Sequence, residues 1–186
     1  STHQGEDIFC LKTHLEIKKN IKNIITIIIP RHVEKATEIE AECKKLGLKS
    51  QILSHKEIIE EEKEIIIINS YGVMSNYLRL CKSVFIGKSM LKKLKPVGGQ
   101  NPIEAAKLGC KIYHGPYVYN FKEIYELFNQ YQISERVEKV SELSQRVTHD
   151  LMNSKKINDE KITVINNLGK KILNDTYEEL IKIYSK

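Results

Sequence analysis

Four short polar segments carry residue types that bind an anionic ligand. They lie at 1–6, 30–32, 98–104 and 115–121; the last three follow predicted strands, and the first opens a predicted helix. Glycines in these segments let the backbone approach a ligand closely, and an arginine pairs with a phosphate or carboxylate through two parallel hydrogen bonds. The free N–H groups of a helix start also attract anions. Together the segments indicate a binding site for an anion.

The segment 98–104 carries the strongest signal. Gly98 and Gly99 allow close backbone approach. Asn101 is a favoured N-cap and Pro102 suits the first helical position, so this helix start offers N–H groups to a phosphate. Glu104 lies in the first turn, where its carboxylate can accept hydrogen bonds from vicinal ribose hydroxyls. The structural alternative is a capped helix with an acidic first turn. Capping alone does not need the double glycine, so a functional role is favoured.

The first segment begins with small hydroxyl residues. Ser1, Thr2 and His3 are candidates for holding an anion beside the helix start. An ordinary N-cap is the competing interpretation, and this segment taken alone favours it. Ser89 follows another predicted strand and is a further candidate for an anion contact, whereas its neighbour Lys88 is weak evidence by itself.

Two other segments follow predicted strands. Arg31 and His32 come directly after a buried strand, where an arginine can pair with a phosphate or carboxylate. A surface ion pair between Arg31 and Glu34 is equally compatible with the sequence. Asn120 stands among aromatic residues near the same edge. For Asn120 the favoured interpretation is the N-cap of the next helix, and ligand binding is the alternative.

Strands and helices alternate along most of the chain. The predicted strands are 24–29, 49–53, 65–68, 83–86, 111–113 and a short one at 131–133. The predicted helices are 5–19, 34–46, 73–81, 102–108 and 121–129, with a solvated helical turn at 56–63. This alternation is typical of an α/β fold with a Rossmann-like, doubly wound parallel sheet flanked by helices. Ligands of such sheets bind beyond the carboxyl ends of the strands.

From residue 134 onward the pattern is purely helical. Two apolar stripes at helical spacing, the first of which includes Val137, flank a polar break at 153–159. We therefore divide the chain into a Rossmann-like domain at 1–133 and C-terminal helices at 134–186. These helices are expected to pack on this domain or on a further, N-terminal domain.

The start of the chain has the character of a loop that follows a strand. A Rossmann-like domain usually begins with a strand, yet 1–5 is polar and leads directly into a predicted helix. We therefore expect the chain to be a fragment of a longer protein, with a Rossmann-like domain that lacks its first strand.

Composition limits the class of protein. The chain has 186 residues, 41% of them hydrophobic, which suits one domain with its own core and excludes a disordered chain. No apolar run reaches the roughly 18 residues of a membrane span. The four cysteines are scattered, so we predict no metal and no cofactor. The net charge of +6 favours anionic partners, but no basic stripe is interleaved with aromatics, so nucleic acid is not an expected partner.

Five motifs, taken in order, resemble those of one enzyme family. They are STHxGE at 1–6, PRH at 30–32, FIGxS at 85–89, GGxNPxEAA at 98–106 and GPxxxNF at 115–121. Together they resemble the C-terminal half of the 3-deoxy-D-manno-octulosonic acid (Kdo) transferases of Gram-negative bacteria. These are glycosyltransferases of the GT-B fold, which has two facing Rossmann-like domains. The resemblance runs from Ser1 to about Phe128, and the helical tail is compatible with it.

The resemblance implies a function for the longer protein. The family transfers Kdo from CMP-Kdo to a lipid A precursor at the cytoplasmic face of the inner membrane, with inversion and without a metal. Its C-terminal domain binds the CMP-Kdo donor. The general base is an acidic residue of the N-terminal domain, where the acceptor site and the anchor to the anionic inner-membrane surface are also expected. We therefore expect this chain to be a soluble fragment that binds nucleotide but does not turn over.

The resemblance also implies roles at the candidate site. Arg31 is implied at the nucleotide phosphate or base, the helix start at Asn101 at the phosphate, and Glu104 at the ribose. The implied donor-binding residues are Ser1, Thr2, His3, Arg31, His32, Ser89, Gly98, Gly99, Asn101, Glu104 and Asn120.

Four positions depart from the family pattern. Val33 stands in place of a proline, Lys88 in place of a glycine and Gln100 in place of a histidine, and 71–74 lacks the acid of a Met-Gly-Glu-Leu stretch. These departures concern local contacts to the base and sugar and leave the donor class intact.

Two other functions stay open on the sequence alone. The first is a GT-B domain that uses a UDP-sugar, which binding of UDP rather than CMP would identify. The second is a non-catalytic basic module of the membrane surface, which would bind liposomes without binding a nucleotide.

Overall fold

Within residues 1–54, 56–153 and 159–184, which the computed structural model describes, the strands form two parallel three-stranded sheets. The strands are β1 (Thr26–Ile28), β2 (Ser50–Leu53), β3 (Ile65–Ile68), β4 (Ser83–Ile86), β5 (Lys111–His114) and β6 (Ser134–Arg136). The first sheet has the order β1-β3-β2 and the second has the order β4-β5-β6.

Helices connect the strands and cover both faces of the sheets. They are α1 (Glu6–Lys18), α2 (Ala36–Lys45), α3 (Met74–Leu78), α4 (Ile103–Lys107), α5 (Lys122–Gln130), α6 (Val140–Met152) and α7 (Asp159–Tyr184). Short 3-10 helices lie at Val33–Lys35, Lys92–Val97 and Tyr119–Phe121. Parallel neighbours need a crossover connection, and α2, α4 and α5 lie in such crossovers.

Strand β3 forms the centre of the first sheet, pairing with β1 on one edge and β2 on the other, and both of its faces are covered. Its four isoleucines are fully buried. Ile65 and Ile67 pack with residues of α1 and α2, whereas Ile66 and Ile68 pack on the opposite face with Tyr77 of α3. β-branched residues suit such a strand, and each buried side chain contributes roughly 1.5–3 kcal/mol relative to an exposed one.

The second sheet is covered in the same way. Ile112 of β5 packs among residues of α4 and α5 and with Ile165 of α7. Its neighbour Tyr113 points to the other face, where it packs with Phe9 of α1 and Leu143 of α6. Helices therefore lie on both faces, which confirms the predicted Rossmann-like α/β class.

In the middle of the chain one sequence prediction was wrong and one element was not predicted. The stretch 56–63 forms no helical turn. The side chain of Gln51 on β2 instead holds it in an extended path, donating to Ile58 O at 3.0 Å and accepting from Glu60 N at 2.9 Å. The 3-10 helix at Lys92–Val97 was not predicted.

The prediction of a purely helical chain from residue 134 was also wrong. The last strand lies at Ser134–Arg136 rather than at 131–133, so the sheet extends past the predicted boundary. The turn after α5 uses those earlier residues: Gln132 adopts a left-handed φ of 54°, and Ile133 N donates to Phe128 O at 2.8 Å. Val137 packs beside β5 instead of joining the helix, which begins at Val140.

The C-terminal helices pack on the same domain over part of their length. α6 contacts α1 and β4, and α7 contacts α4. Ile165 near the start of α7 is buried, whereas Tyr177 and Ile183 near its end are exposed. The predicted polar break at 153–159 lies outside the described residues except at its two ends. No helix in the described part of the chain has the length and apolarity to cross a bilayer.

Candidate functional site

A cavity of about 940 Å³ opens where β1 and β4 end and continues down between the two sheets. Most of the predicted site residues line it, although they come from separate segments of the chain. These are Ser1, Thr2, His3, Arg31, Gly99, Asn101, Glu104 and Asn120. The fold therefore gathers segments as far apart in the chain as those of Ser1 and Asn120, as expected for the carboxyl edge of a parallel sheet.

The first residues are fixed by pairing with the loop after β1. Thr2 forms an isolated parallel bridge with Pro30, in which Thr2 N donates to Ile29 O at 3.1 Å and Arg31 N donates to Thr2 O at 3.0 Å. Ser1 lies against the loop before α4, since its amino group donates to Gln100 Oε1 at 3.2 Å. These bonds set Arg31 beside the first segment at the rim of the cavity.

A buried carboxylate joins two of the loops at the cavity. Glu6 is fully buried, and its oxygens accept hydrogen bonds from four backbone N–H groups. The donors are His3 at 3.0 Å, Lys88 at 2.7 Å, Ser89 at 2.9 Å and Met90 at 2.9 Å. Glu6 thereby ties the loop after β4 to the start of α1, and it orients the backbone from which Lys88 faces the cavity.

Positive charge dominates the polar rim. Among the described residues, neither Arg31 nor Lys88 forms an ion pair, and both line the cavity. His3 lies beside them. Burial lowers the pKa of His3, Lys88 lowers it further, and Glu6 opposes both. At neutral pH this imidazole is therefore neutral, and the rim presents two unpaired cations to a ligand.

The glycine loop before α4 depends on close backbone contacts. A Cβ on Gly98 would lie 2.4 Å from Tyr117 O, so this position has no room for a side chain. Gly99 adopts a φ of +93°, which favours glycine, and its N–H donates to Lys88 O at 2.7 Å. The loop is thus held against the segment 115–118 on one side and the loop after β4 on the other.

Asn101 uses its side chain inside this loop. Its Oδ1 accepts a hydrogen bond from Ile103 N at 2.9 Å, so the first N–H of α4 is already occupied. α4 spans only Ile103–Lys107. The geometry therefore assigns the strongest attraction for an anion to Arg31 and Lys88 rather than to this helix start.

Two further site residues have polar partners at the rim. The exposed carboxylate of Glu104 accepts a hydrogen bond from Ser75 Oγ. Asn120 Nδ2 donates to Val97 O at 3.0 Å, and Asn120 N donates to Gly98 O at 3.0 Å. Asn120 therefore braces the glycine loop and also lines the cavity.

Three predicted site residues do not line the cavity. His32 is exposed and lies 3.5 Å from a carboxylate oxygen of Glu34. Ser89 is fully buried, with its Oγ donating to Ile86 O at 2.6 Å and accepting from Gly115 N at 2.8 Å. Gly98 packs against the backbone of Tyr117 and does not line the cavity. In this structure Ser89 and Gly98 shape the site without facing it.

Three residues have larger roles in the structure than the sequence pattern predicted. Glu6 was treated as part of a motif without a role of its own, Lys88 as weak evidence, and Gln100 as a departure. Lys88 and Gln100 line the cavity, and Gln100 binds Ser1. The sequence did carry a signal for a role of Lys88 and Gln100 in the site, because each stands directly beside a glycine in a loop that follows a strand. The role of Glu6 depends on donors more than eighty residues away, which no local pattern reveals.

Comparison with known proteins supports the resemblance found in the motifs. No protein-family model matches the chain. It is 28% identical over 155 residues to the Kdo transferase of Haemophilus influenzae, covering 83% of this chain and 35% of the relative. It is 26% identical over 161 residues to that of Aquifex aeolicus, covering 87% of this chain and 43% of the relative. The chain thus spans less than half the length of these curated relatives.

A solved structure has the same fold. The C-terminal CMP-Kdo binding domain of WaaA from Acinetobacter baumannii matches with a TM-score of 0.75 over 91% of this chain and 84% of that domain, at 20% sequence identity. This match confirms the predicted fold class. The similarity to Kdo transferases over most of the chain confirms the resemblance inferred from the motifs.

Proposed function

We propose that this chain is the donor-binding part of a Kdo transferase and that its cavity binds CMP-Kdo. One observation carries the proposal: the motif residues of four separate segments line one cavity with a cationic rim, in a chain similar to Kdo transferases. The longer protein would transfer Kdo to a lipid A precursor in lipopolysaccharide synthesis, at the cytoplasmic face of the inner membrane.

The rim suits the charge that the reaction develops. Breaking the bond between Kdo and CMP leaves positive charge on the sugar and negative charge on the departing phosphate. Fixed cations stabilise that negative charge without reorganising during the reaction, and Arg31 and Lys88 occupy the rim without an ion-pair partner in the described residues. In this proposal they hold the phosphate before and after the bond breaks.

Glu104 supplies the complementary contact to the sugar of the nucleotide. Its carboxylate is exposed and lines the same cavity as Arg31. Because Ser75 Oγ donates to one oxygen, the other oxygen can accept from a ribose hydroxyl. Proton removal from the acceptor hydroxyl would fall to a residue of another domain, so this chain alone is expected to bind the donor without catalysing transfer.

Titration calorimetry with CMP and UDP tests the proposal. We expect CMP to bind more tightly than UDP, and Arg31→Ala and Glu104→Ala each to weaken CMP binding at least tenfold, about 1.4 kcal/mol. Arg136→Ala and Glu123→Ala are matched controls, because both side chains are exposed and lie outside the cavity, and Glu123 also occupies the first turn of a helix.

Each alternative outcome has a distinct meaning. Tighter binding of UDP would indicate a transferase that uses a different nucleotide-sugar. Binding to anionic liposomes without binding of either nucleotide would indicate a module of the membrane surface. Equal loss in the control variants would show that the effect is not specific to the cavity.

A further inference from the structure

The positive charge of the chain is concentrated in its middle segment. Between Ile65 and Lys122 there are nine cationic residues but only one acidic residue, Glu104. The nine are Arg79, Lys82, Lys88, Lys92, Lys93, Lys95, Lys107, Lys111 and Lys122. The stretches before and after this segment each contain slightly more acidic than basic residues, so the net charge of +6 arises from the middle segment. Such clustering indicates a surface for an anionic partner.

Three of these lysines lie on one short exposed turn. The 3-10 helix at Lys92–Val97 carries Lys92, Lys93 and Lys95, and all three are exposed. None of them takes part in an ion pair in the part of the chain that the structure describes. Because the three positions lie within four consecutive residues, their charges act together on a partner.

Apolar side chains are exposed beside these charges. Val97 is 47% exposed and Tyr119 is 72% exposed. The two residues are close in space, because Asn120 Nδ2 donates to Val97 O at 3.0 Å and the 3-10 helix that begins at Tyr119 packs against the one that ends at Val97. The surface that we call the lysine turn consists of Lys92, Lys93, Lys95, Val97 and Tyr119.

Tertiary contacts fix the backbone of the lysine turn. Leu91, directly before it, lies against the start of α1, where a Cβ on Gly5 would be 3.2 Å from Leu91 Cδ1. Leu94 N donates to Leu91 O at 2.8 Å, and directly after the turn Gly98 O accepts from Asn120 N at 3.0 Å. The lysine turn therefore presents its charged and apolar side chains together, beside the glycine loop of the candidate site.

The lysine turn suits a lipid bilayer better than other anionic partners. None of its residues lines the site cavity or the smaller cavity beside α3, whereas small ligands bind in concave sites. Single-stranded nucleic acid is bound by several aromatic rings along a basic groove, and this surface has one ring, that of Tyr119. A bilayer needs no concave site, because lysines attract its anionic headgroups and neighbouring apolar side chains enter the interface.

We propose that the lysine turn is a contact site for an anionic lipid bilayer. Its lysines lie among the phosphate headgroups, and Val97 and Tyr119 enter the boundary between the headgroups and the acyl chains. Gly99 follows two residues after Val97 and lines the site cavity, so this contact brings the rim of the cavity close to the bilayer. The membrane contact is one that this chain makes itself, in addition to any anchor in another domain, and it does not rest on the proposed function.

Co-sedimentation of the chain with lipid vesicles tests this inference. Phosphatidylcholine vesicles with and without phosphatidylglycerol provide an anionic and a neutral surface. We expect binding to the anionic vesicles to be at least tenfold tighter and to weaken as salt is added. The triple variant Lys92→Gln, Lys93→Gln, Lys95→Gln should bind the anionic vesicles at least tenfold more weakly, because each lysine near such a surface contributes roughly fivefold.

A second triple variant is the matched control. Lys44→Gln, Lys45→Gln, Lys49→Gln removes the same charge from exposed lysines on and after α2. It should weaken binding to anionic vesicles by less than about threefold, because salt screens charges that lie far from the contact. Equal losses in the two triple variants would overturn the proposal, since binding would then follow net charge alone. Absence of binding to anionic vesicles at low salt would overturn it as well.

A single tryptophan reports whether the lysine turn enters the bilayer. The chain has no tryptophan, so Tyr119→Trp introduces one reporter. Tyr131→Trp is its control, because Tyr131 is also exposed but lies at the opposite end of α5. Anionic vesicles should shift the emission of the Tyr119→Trp chain to shorter wavelength and leave that of the Tyr131→Trp chain unchanged. Unshifted emission from both chains when they are bound to vesicles would contradict the proposal.

Two comparisons distinguish this inference from other functions of the chain. If a DNA oligonucleotide binds more tightly than anionic vesicles at the same salt, and the lysine variant loses that binding, the lysine turn is a nucleic-acid site and the proposal is wrong. Vesicle binding without CMP binding would contradict the proposed function alone. CMP binding without vesicle binding would contradict this inference alone.

Discussion

Glu6→Gln should destabilise the domain severely, because Glu6 is a fully buried carboxylate that accepts four backbone hydrogen bonds. Oε2 accepts from His3 N and Lys88 N, and Oε1 accepts from Ser89 N and Met90 N. Glutamine has nearly the same shape but replaces one oxygen with an NH2 group. In either orientation, two N–H donors lose their acceptor and face another donor.

The expected loss of unfolding free energy follows from those two lost hydrogen bonds. A hydrogen bond to a charged group contributes about 1.5–3 kcal/mol, so the variant should lose roughly 3–6 kcal/mol of unfolding free energy. That is a large part of the 5–15 kcal/mol typical of a domain. The loop that carries Lys88 should loosen as well, which would weaken binding of an anion at the rim.

Urea unfolding followed by far-ultraviolet circular dichroism measures this loss. Glu16→Gln is the matched control, since Glu16 lies on the same helix and its ion pair in the described part of the chain is with the exposed Lys19, and it should cost less than about 1 kcal/mol. A loss below about 1 kcal/mol for Glu6→Gln would refute the stabilising role of the Glu6 carboxylate. It would show that the four N–H groups find other partners.

Two further predictions concern packing and pH. Gly98→Ala should cost roughly 1–3 kcal/mol in thermal unfolding, because its Cβ would lie 2.4 Å from Tyr117 O, whereas the helical Gly169→Ala, with only a side-chain atom 3.8 Å away, should cost nothing. Burial lowers the pKa of three imidazoles, those of His3, His14 and His114. In the unfolded chain these imidazoles bind protons near pH 6.5, whereas in the folded chain they do not. The free energy of unfolding should therefore fall as the pH is lowered from 7.5 to 5.5. If it is instead flat over that interval, the imidazoles titrate normally in the folded chain.

Local patterns accounted for most elements but not for every boundary. A run of isoleucines such as Ile65–Ile68 is compatible with a doubly covered strand wherever it lies in the chain, and it was predicted correctly. The charged stretch at 56–63 was mistaken for a helical turn because the partner that holds it extended, Gln51, lies on another element. The last strand was predicted at 131–133 rather than at Ser134–Arg136, because its pairing with β5 and not its own composition sets its position.

At the candidate site, too, the sequence predicted some features and the tertiary structure decided others. The sequence by itself determined the residue types of the site, namely the glycine loop at 98–99, Arg31 after a strand, and Glu104 in a first turn. Only the tertiary structure decided which of them share a cavity, that Asn101 occupies the N–H of Ile103, and that Ser89 faces inward.

The physical reason lies in the range of the interactions. Strand and helix preferences act between residues a few positions apart, so a sequence carries them directly. The hydrogen bonds of the Glu6 carboxylate, the bridge from Thr2 to Pro30 and the cavity between the two sheets each depend on groups that approach one another only after the chain has folded. Sequence alone therefore determined the class of fold and the residue types of the candidate site, and the tertiary structure decided the geometry in which those residues meet.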